Sequence, residues 1–143
     1  MILPPRLWGY LLLWYYYAIL LSMTRKTLSK KVRQEVYAKY NGHCAYCGKP
    51  IEYKDMQIDH LVSVYAHGGT DDIDNLMPSC RACNYYKSTY PLEDFRKLLS
   101  TVVERLDRDF TYRIAKTYGI ITENDNPIVF YFERVENVKD VQV

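Results

Sequence analysis

CRACNYYK, residues 80–87, decides how the rest of the chain is read. Cys80 and Cys83 stand two residues apart, as in half of a metal knuckle, and Asn84 and Lys87 follow at once. The other half lies upstream in CAYCGKP, residues 44–50, where Cys44 and Cys47 repeat the spacing. These are the four cysteines of the 143-residue chain. Two such pairs, separated by a long insert, fit a tetrahedral four-thiolate zinc site far better than two disulfides. The two-residue spacer lets both sulfurs of a knuckle turn toward one ion, and Gly48 relieves the turn that follows. Ligands that must stay thiolates imply a reducing compartment, so the expected location is the cytoplasm.

A helix starting near Arg81 puts Asn84 and Lys87 at i and i+3, on one face. Cys83 is one position before Asn84, so its sulfur points about 100° away, toward the zinc. Either one metal is being built here, or the same short stretch serves two sites with different chemistry. A closed four-sulfur zinc has no open position and activates no water, so any chemistry needs a second ion. Asp59-His60, in MQIDHLVSVY (56–65), is the second feature. A histidine alone on a strand is more often structural than catalytic. Here it has company: an acid beside it, Gly68-Gly69 in a following loop, then Asn75, Asn84 and Lys87. A hard, oxygen-ligated ion would take the carboxylate of Asp59 and the carbonyl of an amide such as Asn84. A neutral imidazole beside it could take a proton from water.

In this order and spacing, CAYC, IDHL, the Gly-Gly loop, Asn75 and CRACNYYK resemble the HNH endonucleases of the zinc-stabilised ββα-metal type. The resemblance covers roughly residues 29–90. Many members carry histidine at the third signature position; here it is Asn84, which makes an HNN variant. The resemblance implies an α+β fold, a ββα-metal core, and hydrolysis of DNA phosphodiester bonds. His60 would be the general base, and Asp59 and Asn84 would hold the catalytic divalent ion. Asn75 would fix the loop that His60 begins, and Lys87 would approach a phosphate oxygen. Cys44, Cys47, Cys80 and Cys83 would bind structural zinc. An amide oxygen in place of an imidazole leans the catalytic ion toward Mg2+ or Mn2+. DNA contact would be mostly to the backbone, with Arg81, Lys87, Lys30, Lys31 and Arg33 as candidates. Small proteins of this shape occur in phages, mobile elements and restriction systems.

Charge distribution agrees mildly with a polyanionic partner. Net charge is only +2, but residues 24–90 hold ten Lys/Arg against seven Asp/Glu, and residues 91–143 eight against ten. The chain divides on this reading into an apolar segment (1–23), a nuclease domain (24–90) and a C-terminal extension (91–143). LSKKVRQEVYAKYNGHC (28–44) reads as a helix with Ser29 as N-cap and Gly42 as a left-handed terminator. MQIDHLVSVY reads as a strand. In PLEDFRKLLSTVVERL (91–106), Leu92, Phe95, Leu98, Leu99, Val102 and Leu106 form a helical apolar stripe behind Pro91. IVFYFERV (128–135) has strong β propensity and reads as a late strand, completing the core or forming a small dimer or target-choosing unit. Tyr85-Tyr86 could stack on a base, although core packing of at least one is the better expectation. His43 and His67 carry weaker claims to function, because four sulfurs already fill the zinc shell beside His43.

LWGYLLLWYYYAILLSM (7–23) leaves three readings open. It is slightly short for a membrane span of about 20 residues, yet it is aromatic enough to sit at an interface. It could instead pack on the domain as a helix, or be upstream sequence read from an early start, since Met23 begins an ordinary soluble N-terminus. Two further function classes compete with the nuclease: a zinc-dependent DNA-binding module without catalysis, and a membrane-anchored interaction protein. The first of these gives no reason for Asp59 beside His60 together with Asn84.

Overall fold

The structure, a computed structural model, describes residues 27–140, with side chains described as far as residue 136. The apolar segment and its membrane reading lie outside the described residues. Among these, no helix is long and apolar enough to cross a membrane.

Helix α1 (Lys30–Ala38) begins as its sequence directs. The Ser29 hydroxyl accepts from the Val32 N–H at 3.2 Å, satisfying one of the free donors of the first turn. The chain leaves the helix through Asn41 and Gly42, both at positive φ (51° and 72°), and the Gly42 N–H donates to Tyr37 O at 3.1 Å. This delivers Cys44 to the first knuckle. There Gly48 N–H donates to Cys44 O at 2.9 Å, and Ala45 N–H donates to Pro78 O at 2.8 Å. The second bond ties the knuckle to the sheet.

The sheet has two antiparallel strands, β1 (Gln57–His60) and β2 (Leu76–Ser79), in the register Asp59 opposite Met77 and His60 opposite Leu76. Between them run a single-turn helix, α2 (Val64–His67), and a 3-10 turn over Ile73–Asn75. Helix α3 (Arg81–Lys87) follows β2 directly and packs on β1, while α1 packs on β2. Beyond it come α4 (Leu92–Ser100), α5 (Val102–Leu106), α6 (Phe110–Thr117) and α7 (Tyr131–Asp140). The result is an α+β unit built on a ββα core.

Two strand expectations need correction. MQIDHLVSVY is extended only as far as His60. Leu61 N–H pairs with Asn75 O, the Asn75 side chain takes both backbone groups of Val62, and Ser63 caps α2. A local cap and a side-chain clamp thus outcompete β propensity after one turn of pleat. The late strand expected at 128–135 does not form: residues 128–130 belong to no helix or strand, and α7 begins at Tyr131. The first two N–H groups of that helix donate to the knuckle, Tyr131 N–H to Tyr46 O at 3.0 Å and Phe132 N–H to Ala45 O at 2.8 Å. The Glu133 carboxylate accepts from Phe130 N–H at 2.8 Å. With these donors satisfied, the β-rich dipeptides fold as a helix start.

Phe95, Phe130 and Phe132 join Tyr46, Met56, Leu76 and Val36 in one buried cluster, so α4 and the start of α7 share a core with the first knuckle. The Phe95 and Phe130 rings stack at 5.5 Å, as do Phe130 and Phe132 at 5.9 Å, and Tyr46 meets all three edge-on. Each buried phenylalanine contributes about 1.5–3 kcal/mol.

Candidate active site

The sulfurs of Cys44, Cys47, Cys80 and Cys83 lie within 4.8 Å of one another, with Cys47 and Cys80 4.0 Å apart. A tetrahedral ion with bonds of about 2.3 Å needs sulfurs just under 4 Å apart, so the four can hold a metal ion with little movement. Two backbone amides point at them: Cys80 N–H at Cys44 Sγ (3.3 Å) and Cys83 N–H at Cys80 Sγ (3.4 Å). The Cys44 thiol is drawn down to about 4, first by its hydrogen bond with Cys83 and then, against burial, by backbone amides. Cys83, the partner in that bond, is pushed up. The cluster thus favours a thiolate before any cation adds its charge.

Cys80 is also the N-cap of α3, so the sulfur cluster fixes where that helix starts. Asn84 and Lys87 then face β1 from the first and second turns. Asp59, His60 and Asn84 line one cleft of about 170 Å³, together with Ser63, Val64 and Ser88. The sequence-predicted carboxylate, imidazole and carboxamide are therefore gathered around common space.

Asp59 is buried, and its Oδ2 is held twice: by the Tyr46 hydroxyl, which donates to it, and by Lys87 Nζ at 2.9 Å. The Tyr46 hydroxyl is pushed well above its usual range, first by burial and then by the Asp59 charge. Lys87 departs from the expectation that it reaches a phosphate. Its side chain is fully buried, and Nζ also donates to His60 O at 2.8 Å. A buried ammonium needs a carboxylate and acceptors close by, and Asp59 and His60 supply them inside the core.

Asp71, in the AHGGTDD loop, has a part the sequence reading did not assign. Its Oδ1 lies 2.9 Å from His60 Nε2. An acid eleven residues from the histidine gives no local signal; only closure of the intervening loop brings it back. That closure is stapled by Asn75, whose Nδ2 donates to Val62 O (3.0 Å) and Thr70 O (2.8 Å) and whose Oδ1 accepts from Val62 N–H (2.8 Å). Gly69 allows the approach, because a Cβ there would stand 1.9 Å from Val62 O.

The charged DNA-contact candidates divide by place. Arg81 is exposed at the start of α3, and Lys30 and Lys31 are exposed on α1, which packs on β2 and does not line the cleft. Arg33 is half-buried, donating to Met56 O at 3.1 Å. Tyr86 packs edge-on to Phe95 while Tyr85 is exposed. His43 stacks on Tyr131, a packing position.

With that geometry in place, comparison with known proteins shows what the chain is similar to. Residues 44–89 match the family model described as HNH endonuclease. Over 65 residues the chain is 34% identical to the CRISPR-associated endonuclease Cas9 of Corynebacterium diphtheriae, covering 46% of this chain and 6% of that protein. Over 63 residues it is 33% identical to the SPbeta prophage-derived protein YoqL of Bacillus subtilis, provisionally named an HNH endonuclease, covering 39% and 27%. A solved structure of the Type II-C Cas9 enzyme from Actinomyces naeslundii aligns with a TM-score of 0.45 at 23% identity, over 72% of this chain and 12% of that one. The chain thus spans about a quarter or less of the relatives it matches.

Proposed function

We propose that the protein is a metal-dependent DNA endonuclease of the HNN type. The observation that carries this reading is the shared cleft: Asp59 and His60 from β1 and Asn84 from α3 line it together, behind a sulfur cluster that fixes the helix. The four thiolates suit zinc, which would be structural because no coordination position stays open. The donors at the cleft are a carboxylate oxygen and a carboxamide oxygen, a hard set that suits Mg2+ or Mn2+. Asp59 and Asn84 would hold that ion, and when bound it stabilises the charge that develops on a phosphodiester during hydrolysis.

The protein's own groups then have separable tasks. Asp71 holds the His60 ring through Nε2, and the imidazole at the edge of the cleft would take the proton from the attacking water. Asn75 keeps the loop between His60 and Asp71 closed. Lys87 neutralises Asp59 from behind, so the cleft alone attracts a cation weakly, and the substrate phosphate supplies further negative ligands. Arg81, exposed beside the second knuckle, is the candidate for contact with the DNA backbone.

A plasmid-nicking assay tests this reading. Zinc-loaded protein should convert supercoiled DNA to open circles with Mg2+ or Mn2+ and stop on chelation. His60→Ala should keep its zinc and cut on the order of 10²–10⁴ times more slowly. Undiminished cutting by a clean His60→Ala preparation would remove His60 from the chemistry.

A further inference from the structure

We propose that Tyr46 is a positioning residue for the divalent-ion site: its hydroxyl, with the Lys87 ammonium, holds Asp59 Oδ2 and so presents Oδ1 to the cleft. The proposal rests on the nuclease reading above and assigns a task to a residue outside its signature. Tyr46 sits between two cysteines of the sulfur cluster, Cys44 and Cys47, and is almost fully buried. Its ring is fixed from three sides, edge-on to Phe95 at 5.6 Å, Phe130 at 5.5 Å and Phe132 at 6.4 Å. Its backbone carbonyl accepts the first N–H of α7.

A side chain held so tightly delivers its hydroxyl to one point, and that point is Asp59 Oδ2. The carboxylate has one free torsion that matters here, and two donors on the same oxygen lock it. Groups that orient a metal ligand from behind typically set affinity by tenfold or more. Tyr46 therefore links the two metal sites covalently to one end of the chain of contacts and by a single hydrogen bond to the other. The cluster that starts α3, and so places Asn84, also places Asp59 through Tyr46. Both oxygen ligands then refer to one anchor.

Tyr46→Phe removes one oxygen atom and leaves the ring contacts in place. Zinc-loaded wild type and variant would be titrated with Mn2+, following paramagnetic broadening of the Asp59 and Asn84 amide resonances, with zinc content and melting temperature measured alongside. Tyr86→Phe is the control, since Tyr86 packs on the same Phe95 but its hydroxyl meets Arg105. The expected result is a Mn2+ midpoint about tenfold higher for Tyr46→Phe, unchanged zinc content, and no shift for Tyr86→Phe. A Tyr46→Phe midpoint within about twofold of wild type overturns the positioning role and leaves the nuclease reading standing. Absence of broadening at Asp59 and Asn84 in wild type overturns both. A lowered melting temperature with an unmoved midpoint shows packing alone, and also overturns the proposal.

Discussion

Lys87 shows how a residue's neighbours redefine it. As a letter in CRACNYYK it is a cation three positions after Asn84, and a phosphate contact is the natural expectation. In the fold it has no exposed surface and forms an ion pair with Asp59 at 2.9 Å. The pair holds the Asp59 carboxylate in place at the cost of two desolvated charges. Removing one partner leaves the other charged and buried, which typically costs about 3–5 kcal/mol. Lys87→Met should therefore lower the chemical-denaturation stability by that order. If Lys87 served only as a DNA contact, stability would barely change and DNA affinity alone would fall. His60 and Asp59 were legible because an acid and an imidazole stood together. Asp71 was not, since its relation to His60 exists only once ten intervening residues close into a loop.

That loop is the element on which the site depends. Three hydrogen bonds from Asn75 bind Val62 and Thr70, and Gly69 lies where a Cβ would collide with the Val62 carbonyl. Gly69→Ala must push the strands of the loop apart, and overpacking of this kind costs about 1–3 kcal/mol. The expected signature is faster hydrogen exchange at the Val62 amide, with zinc content unchanged. Protection equal to wild type would show that the loop absorbs a methyl group. The Gly-Gly loop could be picked out from composition, and Asn75 as its fixer only through the family resemblance. Where the strand ends could not be, because Ser63 and Asn75 compete for backbone groups that β propensity alone assigns to a sheet. The segment at 128–135 failed for a related reason. Its aromatic and β-branched letters suit a strand, but their partners are the knuckle carbonyls of Ala45 and Tyr46, which take helix-start donors.

At the scale of the molecule, one cluster of sulfurs and one aromatic stack hold the pieces in register. Cys80→Ser takes one sulfur out of the cluster that could hold zinc, while the serine hydroxyl can still cap α3. It should lose zinc on elemental analysis and melt well below wild type; full zinc content with an unchanged transition would contradict the anchoring role. The C-terminal helices are fastened by Arg96, which pairs with Glu133 and lies 4.5 Å over the Phe130 ring. Burial pushes the Glu133 carboxyl up, but Arg96 and the Phe130 amide pull harder, so it lies below its ordinary value of 4.5. A depressed carboxyl stabilises the fold above that value and loses the contribution as pH falls through the folded pKa. The melting-temperature gap between wild type and Glu133→Gln should therefore be widest near neutrality and narrow as pH drops below about 4.5. A gap that is constant across that range would mean the ion pair does not hold α7.

The sequence by itself determined which donor groups a metal site could draw on and the order of its parts. Two cysteine pairs, an Asp-His step and an Asn behind the second pair carry their meaning in spacing, because ligand geometry depends on residues a few bonds apart. Only the tertiary structure decided which charges face solvent, which acid meets His60, and what becomes of the C-terminal aromatic run. Those outcomes turn on burial and on contacts between residues far apart in the chain, where desolvation and competition for backbone donors outweigh local preference.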